Sequence, residues 1–106
     1  MEVRDRRLKV SQMLHNIFDK PKQIYYSPPA NKDIVYPAII YTRAKTTTIK
    51  ADNKKYLMYD RYNVTFIHKE SDDPTYDKLC NLPYCEHDRQ MRIDDLYHDY
   101  FTLYVK

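Results

Sequence analysis

Two cysteines and a nearby histidine are the residues whose types and spacing come closest to a chemical site. Cys80, Cys85 and His87 follow a Cys-x4-Cys-x-His pattern. A structural zinc ion takes four ligands, usually as two close pairs, so His68 or His98 would have to supply the fourth. The spacing is loose for such a site, and a disulfide between the cysteines has no support either. Buried free thiols are the commoner outcome, so the sequence predicts no metal ion.

The same residues could in principle form a nucleophilic site. A thiol beside His87 or His98, with Asp99 orienting the ring, would still need an oxyanion hole at a helix start or tight turn. The predicted helix start at Ser71 to Pro74 carries two aspartates, which would repel an oxyanion. The chain also has no glycine, which excludes glycine-rich phosphate loops and the nucleophile elbow. We therefore expect no enzyme and no cofactor.

Paired carboxylates occur in three places, one of them within Glu86-x-Asp88, and at the other two aspartate has a local structural role. Asp72-Asp73 precedes Pro74, which is typical of a capped helix start. Asp94-Asp95 separates two strand patterns, where aspartate tolerates turn geometry. The structural interpretation is favoured over general acid–base chemistry at both places.

Length and charge narrow the class of protein further. The chain has 106 residues, a net charge of +3 and 42% hydrophobic residues, which predicts one folded domain. Acidic and basic residues interleave instead of forming a basic stripe, which disfavours sequence-specific DNA binding. No apolar run approaches the ~20 residues of a membrane span, and the first residues lack the apolar core of a signal peptide. We expect no membrane contact and a reducing cytoplasm.

Hydrophobic periodicity predicts an α+β fold. The expected architecture is a single domain, residues 1–106, with a mostly antiparallel curved sheet. An N-terminal helix and a second short helix pack on the sheet, and residues 37–68 form a long protruding β-hairpin. The elements are a helix over 4–19, a short strand at 24–26, strands over 36–43 and 56–68, a helix from Pro74 to about Asn81, and strands over 84–93 and 97–105.

The hairpin tip and the tyrosines are the candidate contact surfaces. Lysines cluster near the tip, at Lys45, Lys50, Lys54 and Lys55. They suit an arm that contacts DNA or an acidic neighbour, although lysines also keep a solvated edge from aggregating. The twelve tyrosines suit half-buried surfaces that meet another chain, although strand propensity alone also enriches tyrosine. An arm in protein–protein contact is the favoured interpretation.

Several segments resemble a known set of short proteins. The chain is similar to proteins encoded in phage and prophage head–tail modules, described as tail completion, tail terminator or minor head–tail joining proteins. The resemblance covers about residues 36–104. It is carried by Tyr36-Pro37-Ala38-Ile39-Ile40-Tyr41, Ala51-Asp52-Asn53-Lys54-Lys55-Tyr56, Asp60-Arg61-Tyr62-x-Val64-Thr65, Leu82-Pro83-x-Cys85, Asp88-Arg89 and His98-Asp99-x-Phe101-x-Leu103-Tyr104.

The resemblance implies a structural virion protein of the phage neck. Such proteins form a hexameric ring that ends the growing tail tube and docks to the head connector or stopper, and DNA passes through the lumen without specific binding. The ring would be assembled in the cytoplasm of the host bacterium. A stopper or adaptor on the portal side and a small nucleic-acid-binding module remain alternatives.

The implied contacts fall on two groups of residues. The hairpin arm is expected to contact the tail tube or a neighbouring subunit through Thr46, Thr48, Lys50, Lys54 and Lys55. The interface between subunits is expected at Tyr41, Tyr59, Tyr100 and Tyr104, each of which could instead be an ordinary half-buried tyrosine.

Overall fold

The structure, a computed structural model, describes residues 3–52 and 54–106. Within these residues the chain forms two α-helices, one turn of 3-10 helix and five strands. In chain order they are α1 (Val3–Ile17), the 3-10 turn (Pro21–Gln23), β1 (Ile24–Tyr26), β2 (Ala38–Ala51), β3 (Lys54–His68), α2 (Pro74–Cys80), β4 (Cys85–Ile93) and β5 (Leu96–Val105).

The five strands form one mixed sheet in the order β1-β2-β3-β5-β4. The pairs β2–β3, β3–β5 and β5–β4 are antiparallel, and only the short edge strand β1 runs parallel to its neighbour. The predicted α+β domain, with a mostly antiparallel sheet, an N-terminal helix and a short second helix, is confirmed. Of the helices in the described ranges, none is long and apolar enough to span a bilayer.

Helix α1 packs an apolar stripe against one face of the sheet, which we call the covered face. Val10, Leu14 and Phe18 recur every fourth residue and are almost fully buried. They join the inward side chains of β3 and β5, which alternate with outward ones. These inward residues are Tyr62, Val64, Phe66, Phe101, Leu103 and Val105. The predicted amphipathic helix is confirmed, although α1 ends at Ile17 rather than at position 19.

Helix α2 begins as its sequence predicts. The Asp73 carboxylate accepts a hydrogen bond from the Thr75 main-chain N–H at 2.9 Å, and Pro74 occupies the first turn. Leu79 then reaches the core, fully buried. The helix therefore closes the covered face next to β4.

The hairpin formed by β2 and β3 extends beyond the rest of the sheet. Strand β5 pairs with β3 only from Asp60 to His68, and β1 pairs with β2 only from Ile39 to Tyr41. Among the described residues, positions 47–51 therefore pair only with positions within 54–59, and we call these two segments the arm. A register shift between Arg43 and Lys45 marks its base, where a bulge increases the local bend and twist. The molecule is accordingly elongated, with extents of 51 × 26 × 23 Å.

Candidate assembly interface

The two cysteines of the Cys-x4-Cys-x-His segment lie in different surroundings. Cys80 is exposed and Cys85 is half-buried, and both are free. Burial, followed by the nearby Cys80, Asp88 and Glu86, raises the pKa of the Cys85 thiol to about 12. The thiolate is the nucleophilic form of cysteine, so this raised pKa makes the Cys85 thiol less nucleophilic at neutral pH. Within residues 3–52 and 54–106, no cluster of three or more His, Cys, Asp or Glu side chains could hold a metal ion.

His87 belongs instead to a hydrogen-bonded cluster centred on Asp99. Asp99 is fully buried on the covered face. It accepts hydrogen bonds from His68 Nε2 at 2.6 Å, His87 Nε2 at 2.9 Å and Gln90 Nε2 at 3.2 Å. Because His68 lies on β3 and the other two donors lie on β4, Asp99 on β5 joins three strands. The cluster therefore fixes the edge strand β4 to the sheet.

Both ring nitrogens of His68 face oxygen atoms of the chain. Nδ1 lies 2.7 Å from the Glu70 main-chain carbonyl oxygen, while Nε2 faces the Asp99 carboxylate. The ring also stacks on Phe66, with ring centroids 4.4 Å apart. These contacts hold the end of β3 against β5 and the segment that follows β3.

A buried charged pair holds the base of the arm. Arg6 Nε donates to Asp60 Oδ2 at 2.8 Å, and both side chains are almost completely buried. Thr46 Oγ1 donates to Asp60 Oδ1 at 2.6 Å. Asp60 thus links α1, β2 and β3 at the point where the arm leaves the sheet. The hydroxyl of Thr46 is engaged within the chain although the residue is exposed, and its predicted contact with another protein stays a prediction.

A large apolar groove lies beside this base. It has a volume of about 710 Å³ and runs from the arm, past the end of β5, to α1 and the α2–β4 connection. Its lining is mostly aliphatic and aromatic, with a lysine from α1 and another at the last position. The lining residues are Lys9, Met13, Leu57, Tyr59, Leu82, Pro83, Tyr84, Tyr104, Val105 and Lys106.

Two of the four predicted interface tyrosines line this groove. Tyr59 and Tyr104 pack edge to face, with ring centroids 6.0 Å apart. Tyr84, which the sequence did not single out, is 73% exposed at the groove mouth. These aromatic side chains come from the arm, β5 and the α2–β4 connection. Their convergence makes the groove the principal candidate for a protein contact.

The other two tyrosines lie elsewhere. Tyr41 is only 5% exposed and packs between Tyr26 and Tyr62, with ring centroids at 5.0 and 6.3 Å. Tyr41 therefore has almost no free surface in the single chain, and its predicted contact with a neighbouring subunit stays a prediction. Tyr100 is half-buried on the opposite face of the sheet, where the Arg89 guanidinium lies 5.0 Å from its ring centre.

The arm itself presents a mixed surface. Lys50 is exposed, Thr48 is half-buried and Ile49 is 45% exposed. The side chains of Lys54 and Lys55 lie outside the described part of the structure, so their predicted contacts stay predictions. The exposed Ile49 adds an apolar residue to an arm whose sequence emphasises lysine and threonine.

Comparison with known proteins adds no family to this description. No protein-family model matches the chain, and no curated protein matches it. The groove, the arm and the two buried polar clusters are thus the observations on which a function can be argued.

Proposed function

We propose that this protein is a structural subunit of the phage neck that associates with copies of itself into a ring, ends the tail tube and joins it to the head connector. One observation carries the proposal: a large apolar groove lies at the base of an arm that projects from the sheet. The groove suits a neighbouring subunit, and the arm can reach a different protein. The resemblance of residues 36–104 to head–tail proteins supports the phage neck as the place of assembly.

The groove has the composition of a protein interface. Aromatic residues are enriched and charged residues depleted at the centre of such interfaces. Here three tyrosines and several aliphatic side chains form the lining, with lysines at the margin. A large apolar patch on a small domain commonly marks a site of interaction. A neighbouring subunit would cover the exposed ring of Tyr84.

The arm has the features of a second contact surface. A two-stranded ribbon without a third strand is marginally stable in water. This one is secured at its base by Asp60, which binds Arg6 and Thr46. Contact with a partner would provide the support that the sheet does not give to the tip. The exposed Lys50 and Ile49 would contribute to contact with the tail tube protein or a neighbouring subunit.

A hexameric ring is consistent with these two surfaces. A subunit that contacts its neighbour through one patch and reaches another protein through a separate arm can serve both ring formation and joining. DNA would pass through the lumen without specific binding, and the complete ring would reside in the virion. A stopper or adaptor on the portal side would use the same surfaces, so its location in the particle separates it from a terminator.

Shortening the arm tests the proposal. Ile49 and Leu57 are directly paired, so replacement of residues 50–56 by Asn-Gly joins them through a two-residue hairpin turn. This variant keeps Thr46 and Asp60, and its thermal unfolding serves as the control for folding. In a phage that lacks the gene, we expect wild-type protein to restore infectious particles. The shortened variant should leave separate heads and tails in electron micrographs, and full infectivity would contradict the role of the arm.

A further inference from the structure

We infer that the acidic β4–β5 turn of one copy binds in the lysine-margined groove of the next copy, giving head-to-tail association. The inference rests on the proposed self-assembly and names the two surfaces that meet. The turn is Ile93-Asp94-Asp95-Leu96, and the groove is the apolar one lined by Lys9, Tyr84 and Lys106.

The turn carries a charge that its geometry does not require. Asp94 and Asp95 have φ angles of 51° and 62°, both in the left-handed region. A two-residue hairpin turn of this kind strongly prefers Asn-Gly, because each central residue needs positive φ. Two adjacent aspartates also repel each other. Aspartate tolerates this region, as it does at Asp52 in the same chain, but asparagine would serve the geometry without a charge.

Two exposed apolar side chains lie next to the turn, on either side of Arg92. Met91 is 43% exposed and Ile93 is 40% exposed, on the last residues of β4. Arg92 lies 3.9 Å from Asp95, but both side chains are largely exposed, so this ion pair neutralises little. The turn therefore offers two carboxylates beside aliphatic side chains.

The groove complements both the negative charge of the turn and its exposed apolar side chains. Its floor is aliphatic and aromatic, and its margin carries Lys9 and Lys106. Lys9 Nζ donates to the main-chain oxygen of Lys106 at 3.5 Å, so the two residues lie together at one side of the groove. Aliphatic side chains of the turn would cover the floor, and its carboxylates would face the lysines. The arm tip is a poorer occupant, because Lys50 would meet cations of the same sign.

The position of the two surfaces makes the association directional. Cys85 pairs with Leu103 near the groove, while Ile93 pairs with Leu96 at the turn, so the two surfaces lie at opposite ends of the β4–β5 hairpin. The ten residues of β5 separate them by about 30 Å. A contact between two different patches of identical chains repeats in one direction, and it closes into a ring or extends as a filament. This is the type of contact that a ring subunit requires.

The turn can be neutralised without damage to the fold. The double variant Asp94→Asn/Asp95→Gly removes both charges and installs the preferred turn sequence, so the melting temperature should stay the same or rise. We expect wild-type protein to self-associate in sedimentation velocity experiments. This variant should associate about tenfold more weakly.

Exchanging the charges tests the same contact from the side of the groove. Lys9→Glu should weaken association to a similar extent, and Lys9→Glu with Asp95→Lys in one chain should restore much of it. The matched control Glu70→Gln/Asp72→Asn removes two exposed acidic charges elsewhere and should associate like wild type.

The outcomes separate this inference from the proposed function. If the Asn-Gly variant and Lys9→Glu both associate as tightly as wild type, the inference is overturned, while a ring formed through another surface would keep the proposed function. Wild-type protein that stays monomeric at millimolar concentration also overturns the inference. Absence of the protein from the virion neck, with charge-dependent self-association intact, would instead refute the proposed function alone.

Discussion

Replacement of Tyr62 by phenylalanine should stabilise the protein. Tyr62 is fully buried in the core, and its hydroxyl has no hydrogen-bond partner among the residues that the structure describes. A buried polar group without a partner costs about 1–3 kcal/mol. Phenylalanine keeps the ring that packs near Tyr41 and removes only the hydroxyl. We expect the free energy of unfolding of Tyr62→Phe at neutral pH to exceed that of wild type by about 1 kcal/mol.

The same substitution should change the response to alkaline pH. Burial, followed by the nearby Asp60 carboxylate, raises the pKa of Tyr62 from 10.0 to about 12. Between these values the unfolded chain loses the phenolic proton and the folded chain keeps it. Wild-type stability from this group is therefore complete below pH 10 and falls as pH rises toward 12, by about 1.4 kcal/mol per pH unit. Tyr62→Phe lacks this loss, so its advantage should widen.

Urea unfolding followed by circular dichroism measures both effects. Wild type and Tyr62→Phe are compared at neutral pH and at about pH 11, halfway through the predicted range. Cys85, whose thiol pKa is also raised, is present in both proteins and cancels in the comparison. A variant less stable than wild type would show that the hydroxyl has a partner. An advantage that stays the same at both pH values would refute the assignment of the raised pKa.

Two further predictions concern the buried polar clusters. Thr46→Val should lower the free energy of unfolding by about 1.5–3 kcal/mol, because one oxygen of the buried Asp60 carboxylate loses its donor. Thr48→Val, two residues further along the same strand, is the matched control, and equal losses in urea unfolding would show that the Asp60 contact contributes nothing. Asp99→Asn should lower the free energy of unfolding by about 1–3 kcal/mol, since an amide nitrogen replaces one of the two buried oxygens that accept from His68, His87 and Gln90. Hydrogen exchange should then accelerate along β4, and unchanged protection there would contradict the role of Asp99 as the link between β4 and the sheet.

Much of the fold could be predicted because its elements are locally encoded. The alternation Tyr62, Val64, Phe66 places one face of β3 in the core, as the structure confirms. The Asp73-Pro74 helix start is equally local, and α2 begins there. The buried face of the strand around Tyr41 is harder to predict, because the strand is apolar on both faces. Which face points inward depends on the neighbouring strands. The sequence of this strand therefore does not decide whether Tyr41 faces the core or a neighbouring subunit.

The candidate site could be predicted only in part. The polar residues Asp60, His68 and Asp99 continue apolar alternations, which signals that each needs a buried partner. The partner of Asp60 could not be chosen from sequence, since Arg4, Arg6 and Arg7 lie together in α1. The groove combines side chains from α1, the arm, the α2–β4 connection and β5, and no local pattern records such a convergence. The sequence identifies Tyr59 and Tyr104 as individual interface candidates, but it does not show that they line the same groove.

Cryo-electron microscopy of purified virions, classified before symmetry is imposed, tests the central claim most directly. The proposed function predicts a ring of this protein between the tail tube and the head connector, with the arm in contact with the tube or a neighbouring subunit. A ring on the portal side, with another protein covering the tube, would contradict the terminator role and assign the chain to the stoppers or adaptors. Absence of the protein from the neck would contradict the claim altogether.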